Sequence, residues 1–320
     1  MPVDISDKQI ESAMSIGDFV ESCDAAFRLY GSGDIACEPR AESVTQSDDS
    51  EVFRLELAAD WPGVASGRKV IIERSDVSTG RLGERSAVIE LTPNGYDQPI
   101  TVDAELITNQ RTGAAAALGA RYLAGSCERV GIIGTGRIAE SVALAVDSAL
   151  TPDSIVVTSR KPENRADFVT RLESQLSAAI EPADSIESTV SGAGVVVVCV
   201  PTPEPVLGPH VLDSTTHVSV VAGDPRTVQL QAALLQERPV VVDQTDQARK
   251  SGDFVRYDEQ IDRFQFMRID DREATIGDAA LGKLDAFRGR GCVTYFTGMA
   301  VQDLHAAQTA WSRLSERPGN

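Results

Sequence analysis

The chain has 320 residues, more than one hydrophobic core usually serves, so two domains are expected. Its 42% apolar and 24% charged residues make a globular protein and exclude disorder, a collagen-like fibre and a disulfide scaffold. Thirty Lys and Arg against 48 Asp and Glu leave a net charge of −18, which repels phosphate backbones and anionic lipid, so neither nucleic acid nor membrane is expected as a partner.

Five cysteines, Cys23, Cys37, Cys127, Cys199 and Cys292, are odd in number and widely spaced, with no CxxC pair. That is the pattern of reduced thiols in a cytosolic protein. Cys199 lies in the apolar run Val195 to Val200 and reads as a small buried hydrophobe rather than a nucleophile. His210, His217 and His305 lack metal-type spacing, so no metal site is expected. No apolar run approaches the ~18 residues of a membrane helix, and the N-terminus MPVDISDKQIESAM is acidic where a secretory leader is basic and then apolar. The expected compartment is the cytoplasm.

In chain order, residues 6 to 30 place Ile10, Met14, Ile16, Phe19, Val20, Cys23, Phe27 and Tyr30 at roughly helical spacing, which predicts one or two amphipathic helices ending at Gly31. From 50 to 104 the runs VFRLELA, KVIIER, SAVIEL and PITVDA, separated by Pro, Gly and Asn, predict a small antiparallel sheet. The Ala-rich segment 110 to 125 predicts a helix leading into a second domain. There the pattern alternates: strands RVGIIGT, SIVVTS, VVVVCV, HVSVVAG and PVVVDQ with helical stretches between most of them. Continuous Val and Ile runs suit strands buried on both faces of a parallel sheet. A last amphipathic helix near 298 to 314 can return to the first domain.

Gly134-Thr135-Gly136-Arg137-Ile138-Ala139 is a GxGxxA turn between the strand VGII and a helical pattern. Gly134 permits the tight turn, Gly136 lets the backbone approach a pyrophosphate, and Ala139 lets the helix pack closely on the strand. Dinucleotide binding is therefore expected, against the alternative of a merely structural turn. The next strand ends Thr158-Ser159-Arg160-Lys161, with cations where a ribose-binding carboxylate normally stands, so NADP(H) is expected over NAD(H). Arg160 and Lys161 as solvated turn residues are the alternative. The candidate cofactor-binding set is Thr112, Gly134, Thr135, Gly136, Arg137, Ile138, Ser159, Arg160, Val200 and Thr202.

Over nearly its whole length the chain resembles the ornithine cyclodeaminase/mu-crystallin family. Ile107-Thr108-Asn109-Gln110-Arg111-Thr112-Gly113-Ala114, followed by Ala120-Arg121-Tyr122-Leu123-Ala124, looks like the family's characteristic helix. Val240 to Gln244, Ser251-Gly252-Asp253 and Gly298 to Leu304 match later blocks, and Gly67 to Val70 and Pro39-Arg40 earlier ones. The resemblance implies an α/β fold: a Rossmann-type doubly wound parallel sheet (118–290) plus a smaller α+β substrate and dimerisation domain (1–117 completed by 291–320). It implies a homodimer and chemistry at the α-carbon of an amino or imino acid.

Residue by residue, Arg40, Lys69 and Arg111 fall where the family holds the substrate carboxylate, and Asp224 falls near its catalytic acid, with Lys69 the second catalytic candidate. Glu56 sits where the cyclodeaminase branch carries a substrate-binding glutamate. Fixed cations suit an α-carboxylate, and a carboxylate at the carboxyl end of a parallel strand is well placed to move a proton. The alternatives are surface charges for Arg40 and Lys69, a helix N-cap for Asp224 and an exposed strand face for Glu56. The chain departs from the family after Asp224, where Pro225-Arg226 replaces a Pro-Gly-Lys-like loop one residue longer. The leading expectation is an NAD(P)-dependent imine reductase or amino-acid dehydrogenase. The alternatives are an ornithine or lysine cyclodeaminase with internally recycled NAD, and a non-catalytic NADP-binding protein of the crystallin type.

Overall fold

A computed structural model describes residues 4–47, 49–77 and 82–316. They form two units, one of the described residues up to Arg111 and from Met299 onward, the other of Thr112–Gly298.

Unit 1 opens with helices α1 (Asp7–Ala13) and α2 (Ile16–Ser32), each started by a serine capping box: Ser15 Oγ accepts from Asp18 N, and the Asp18 carboxylate accepts from Ser15 N at 2.7 Å. Helix α2 runs through Gly31 to Ser32. Strands β1 (Ala36–Cys37), β2 (Ala41–Gln46), β3 (Ser50–Trp61), β4 (Ala65–Asp76), β5 (Leu82–Pro93) and β6 (Ile100–Asp103) make an antiparallel sheet in the order β1-β3-β4-β5-β6, with β2 also paired to β3. Strands β1 and β2 had no signal in the sequence, since β2 is exposed throughout and shows no alternation; the edge of β3 supplies their hydrogen bonds. Leu55 and Leu57 of β3, Ile71 of β4, and Ile89 and Leu91 of β5 are buried on one face of this sheet.

Helix α3 (Glu105–Leu123) begins five residues before the predicted start and passes from unit 1 into unit 2. Its residues Ala114 to Leu118 are all buried, so the Ala-rich composition reflects close packing.

Unit 2 then alternates β7 (Arg129–Ile133), α4 (Arg137–Leu150), β8 (Ser154–Thr158), α5 (Pro162–Leu172), β9 (Ala179–Pro182), α6 (Ile186–Val190), β10 (Val195–Val198), β11 (His217–Val221), α7 (Ala232–Glu237) and β12 (Val240–Val242). Short helices α8 (Thr245–Ala248) and α9 (Gly252–Arg256), a small hairpin of β13 (Arg268–Ile269) and β14 (Arg272–Glu273), and α10 (Ile276–Ala280) lead to β15 (Val293–Phe296). The sheet is wholly parallel in the order β12-β15-β11-β10-β7-β8-β9, so the strand order reverses beside β7. Strand β15 corrects the expectation that residues from 291 onward complete the first domain: Val293 to Phe296 are fully enclosed and pair with both β11 and β12. The chain returns to unit 1 only with α11 (Ala300–Ser315), which packs on β3, β4, β5 and α2.

Candidate functional site

The turn between β7 and α4 has the geometry of a dinucleotide cradle. Gly134 sits at φ +132°, and a Cβ there would lie 2.7 Å from the carbonyl oxygen of Cys199, so this glycine is required by the fold itself. Gly136 is different: φ is −85°, and a Cβ would meet nothing within 4 Å. Its bare backbone stands at the N-terminus of a 14-residue helix, where an approaching anion meets backbone N–H groups and the positive end of the helix dipole rather than a side chain. Ala139 is fully buried, as close packing of helix on strand requires.

The rest of the cofactor set lies in the same unit. Thr112 is buried in α3, Thr135 and Ile138 are half-buried, and Arg137 is exposed at the start of α4. After β8, Arg160 is exposed and Ser159 half-buried. Val200 and Thr202 follow β10, and one amide fixes their loop: Gln229 Oε1 accepts from Val200 N at 3.2 Å while its Nε2 donates to Val221 O at 2.7 Å. Gln229 is itself held by the buried Asp253, whose Oδ1 accepts from the Gln229 and Leu230 amides. Asp243 does similar work at the end of β15, accepting from the amides of Gln244, Thr297 and Gly298 and from Thr297 Oγ1. These two carboxylates, visible in the sequence only as matching blocks, order loops at the carboxyl end of the sheet.

Asp224, three residues after β11, is part-exposed; its Oδ1 accepts from Arg226 N at 2.8 Å, and Arg226 Nη2 donates to its Oδ2 at 2.7 Å. Cys199 donates to Ile133 O, and burial pushes its thiol up to about 12, so it is no nucleophile at neutral pH.

In unit 1, Lys69 of β4, Arg111 of α3 and Asp303 of α11 form one buried cluster. Lys69 Nζ lies 2.6 Å from Asp303 Oδ2, and Arg111 Nε donates to Asp303 Oδ1 at 3.0 Å; the three side chains are 1%, 8% and 2% exposed respectively for Lys69, Arg111 and Asp303. Lys69 also reaches Thr108 Oγ1 at 3.4 Å, and Arg111 Nη1 reaches Gln302 Oε1 at 3.4 Å. Two cations thus share one carboxylate, leaving an excess positive charge in a poorly hydrated place. Burial, then the neighbouring Arg111, bring the Lys69 ammonium down to about 8. Arg40, just before β2, pairs with Glu42 and adds to the positive field at Lys69. Sequence reasoning missed Asp303. Its signal was a carboxylate on the buried stripe of an amphipathic helix, which demands a buried cation nearby.

Glu56 does not join this cluster. Lys69 pairs across the ladder with Leu57, and Glu56 with Val70, so Glu56 and Lys69 point to opposite faces of the sheet. Glu56 is bound instead by Arg54 Nε at 2.6 Å and Arg68 Nη1 at 3.3 Å, and the Arg54 hydrogen bond holds its carboxyl below the ordinary value.

The profile of the ornithine cyclodeaminase/mu-crystallin family matches residues 4–317. The chain belongs to this family. Among the relatives of this family member, the alanine dehydrogenase of Archaeoglobus fulgidus is 25% identical over 99% of this chain and 96% of that protein. An archaeal alanine dehydrogenase dimer with bound NAD superposes with a TM-score of 0.81 at 24% identity, covering 99% of this chain and 97% of the other. The Δ1-pyrroline-2-carboxylate reductase of Thermococcus litoralis, in complex with NADH and L-proline, gives 0.83 at 21% identity over 98% and 97%. The two structural likenesses establish the fold. Among the described residues, no helix is long and apolar enough to cross a membrane.

Proposed function

We propose that this family member is an NAD(P)-dependent oxidoreductase acting at the α-carbon of an amino or imino acid, of the imine reductase or amino-acid dehydrogenase type. The observation that carries the reading is the buried Lys69–Asp303–Arg111 cluster. A buried excess cation is costly unless an anion arrives to complete it, and a substrate α-carboxylate is such an anion. Arg111 offers a planar fork for bidentate contact and Lys69 a point charge, with Arg40 contributing a third cation. The family's named dehydrogenase and reductase relatives support the same reading.

Reduction of an imine adds a hydride to carbon and a proton to nitrogen. A nicotinamide cofactor supplies the hydride when bound. Asp224 is the proposed proton carrier, supported by its place after the carboxyl end of a parallel strand; Lys69, with its lowered affinity for a proton, is the second group able to move one. Thr112, the 134–138 turn, Ser159, Arg160, Val200 and Thr202 are the proposed cofactor contacts, with NADP(H) favoured because Arg160 and Lys161 stand where a ribose-binding carboxylate is usual. By likeness to the dimeric alanine dehydrogenase, the working state is a homodimer.

The test offers NADPH with ammonia and 2-oxo acids, or with cyclic imino acids, and NADP⁺ with amino acids, following reduced nicotinamide and ammonia together. The reading requires nicotinamide consumption in step with product. Ammonia release from ornithine or lysine with no net change in nicotinamide would replace it by cyclodeamination.

A further inference from the structure

Arg165 lies on α5, outside the GxGxxA turn, and its side chain is only 8% exposed. Its Nη1 donates to the carbonyl of Ser159 at 2.7 Å and its Nη2 to Asp184 Oδ1 at 2.7 Å. Two further bonds fix the same corner: Thr158 Oγ1 donates to Ala183 O at 2.9 Å, and Ala183 N to Val157 O at 2.8 Å. Asp184, following β9, is thereby held beside the end of β8.

Two consequences follow from elementary chemistry. In a trans peptide the carbonyl of residue 159 and the N–H of residue 160 point in opposite directions, so a buried guanidinium on the Ser159 carbonyl turns the Arg160 N–H away from itself. The ion pair also sets a cation against Asp184, whose own side chain is 98% exposed, beside the exposed Arg160 and Lys161 at the point where a Rossmann unit inspects the adenosine ribose. Glu163 and Asp167, both exposed on α5, are the other carboxylates of this segment.

We propose that Arg165 is a positioning residue for cofactor selection, orienting the Ser159–Arg160 peptide and setting a counter-charge against Asp184 so that a 2′-phosphorylated adenosine ribose is accepted at the end of β8. The proposal rests on the NADP(H) reading above, and its test separates the two.

NADPH and NADH are titrated by nicotinamide fluorescence into the wild type, Arg165→Met, Arg165→Lys and the double variant Arg165→Met/Asp184→Asn. Arg165→Met should lose about three- to tenfold in NADPH affinity and less than about twofold in NADH affinity, because the Ser159–Arg160 peptide loses its anchor and the exposed Asp184 is no longer countered. Asp184→Asn in that background should recover most of the loss, which repair of a merely structural defect would not do. Arg165→Lys keeps the charge but not the fork that holds Ser159 O and Asp184 together, so it should weaken NADPH by about two- to fivefold and leave NADH within about twofold, and it decides the matter if Arg165→Met does not fold. Equal losses for both cofactors in either single variant, or no recovery on removing Asp184, would overturn the role of Arg165. A wild-type protein that binds NADH as tightly as NADPH would overturn the cofactor reading itself.

Discussion

Asp303 and Lys69 meet 2.6 Å apart inside unit 1, and the other oxygen of the same carboxylate holds Arg111. Removing the shared anion leaves two buried cations facing each other. Asp303→Asn should therefore destabilise the protein by about 3–5 kcal/mol, read as a lowered urea midpoint. An unchanged midpoint would mean that the pair contributes nothing to folding.

If Lys69 and Arg111 grip the substrate carboxylate, Lys69→Ala and Arg111→Ala should each cost about 2–4 kcal/mol of transition-state stabilisation in kcat/KM. Cofactor affinity should be unchanged. Near-normal kcat/KM in either variant would remove that residue from the substrate site.

The lowered proton affinity of Lys69 sets a pH dependence. Below about 8 the ammonium is charged and attracts a carboxylate; above it the neutral amine does not. The kcat/KM of the free enzyme should be level at neutral pH and fall about tenfold per unit above that point. In Lys69→Arg the guanidinium stays charged, and the alkaline limb should move beyond about pH 10. A limb that stays in place in Lys69→Arg belongs to another group.

Asp224→Asn should retain dinucleotide affinity and lose about 10²- to 10⁴-fold in turnover, since it keeps shape while removing the proton acceptor. Full activity would transfer the proton to another group, Lys69 first.

Glu56→Gln should leave the KM for a carboxylate substrate within about twofold of wild type, because this residue points to the other face of the sheet from Lys69. A large rise in KM would show that the carboxylate reaches the substrate after all.

The two glycines of the turn separate fold from ligand. Gly134→Ala forces a Cβ against the Cys199 carbonyl in a left-handed conformation and should destabilise the protein by more than about 1 kcal/mol. Gly136→Ala occupies open space at an ordinary φ, so stability should change by less than about 1 kcal/mol while dinucleotide affinity falls at least about tenfold. Calorimetry and nicotinamide titration on the same samples distinguish the two.

Much of unit 2 was legible in the sequence because its signals are local. Buried parallel strands read as the Val and Ile runs of β7, β8, β10, β11 and β12, and the glycine turn sits directly between a strand and a helix. The family likeness and the candidate cations Lys69 and Arg111 also came from short contiguous motifs. What the sequence left undecided depends on pairing between distant segments. Period-two alternation shows that neighbours Glu56 and Leu57 face opposite ways, but only the register of β3 on β4 shows which of them shares a face with Lys69. Asp303 meets Arg111 across 192 residues, a contact created when α11 returns to unit 1. Strand β15, Val293-Thr294-Tyr295-Phe296, carries no Val/Ile run to announce it and becomes a strand because β11 and β12 offer hydrogen bonds on both sides. Chain-local chemistry thus determined which elements and which residue types are present, whereas burial and pairing decided which charges must share a partner: tertiary contacts remove water from both and make each the other's counter-ion.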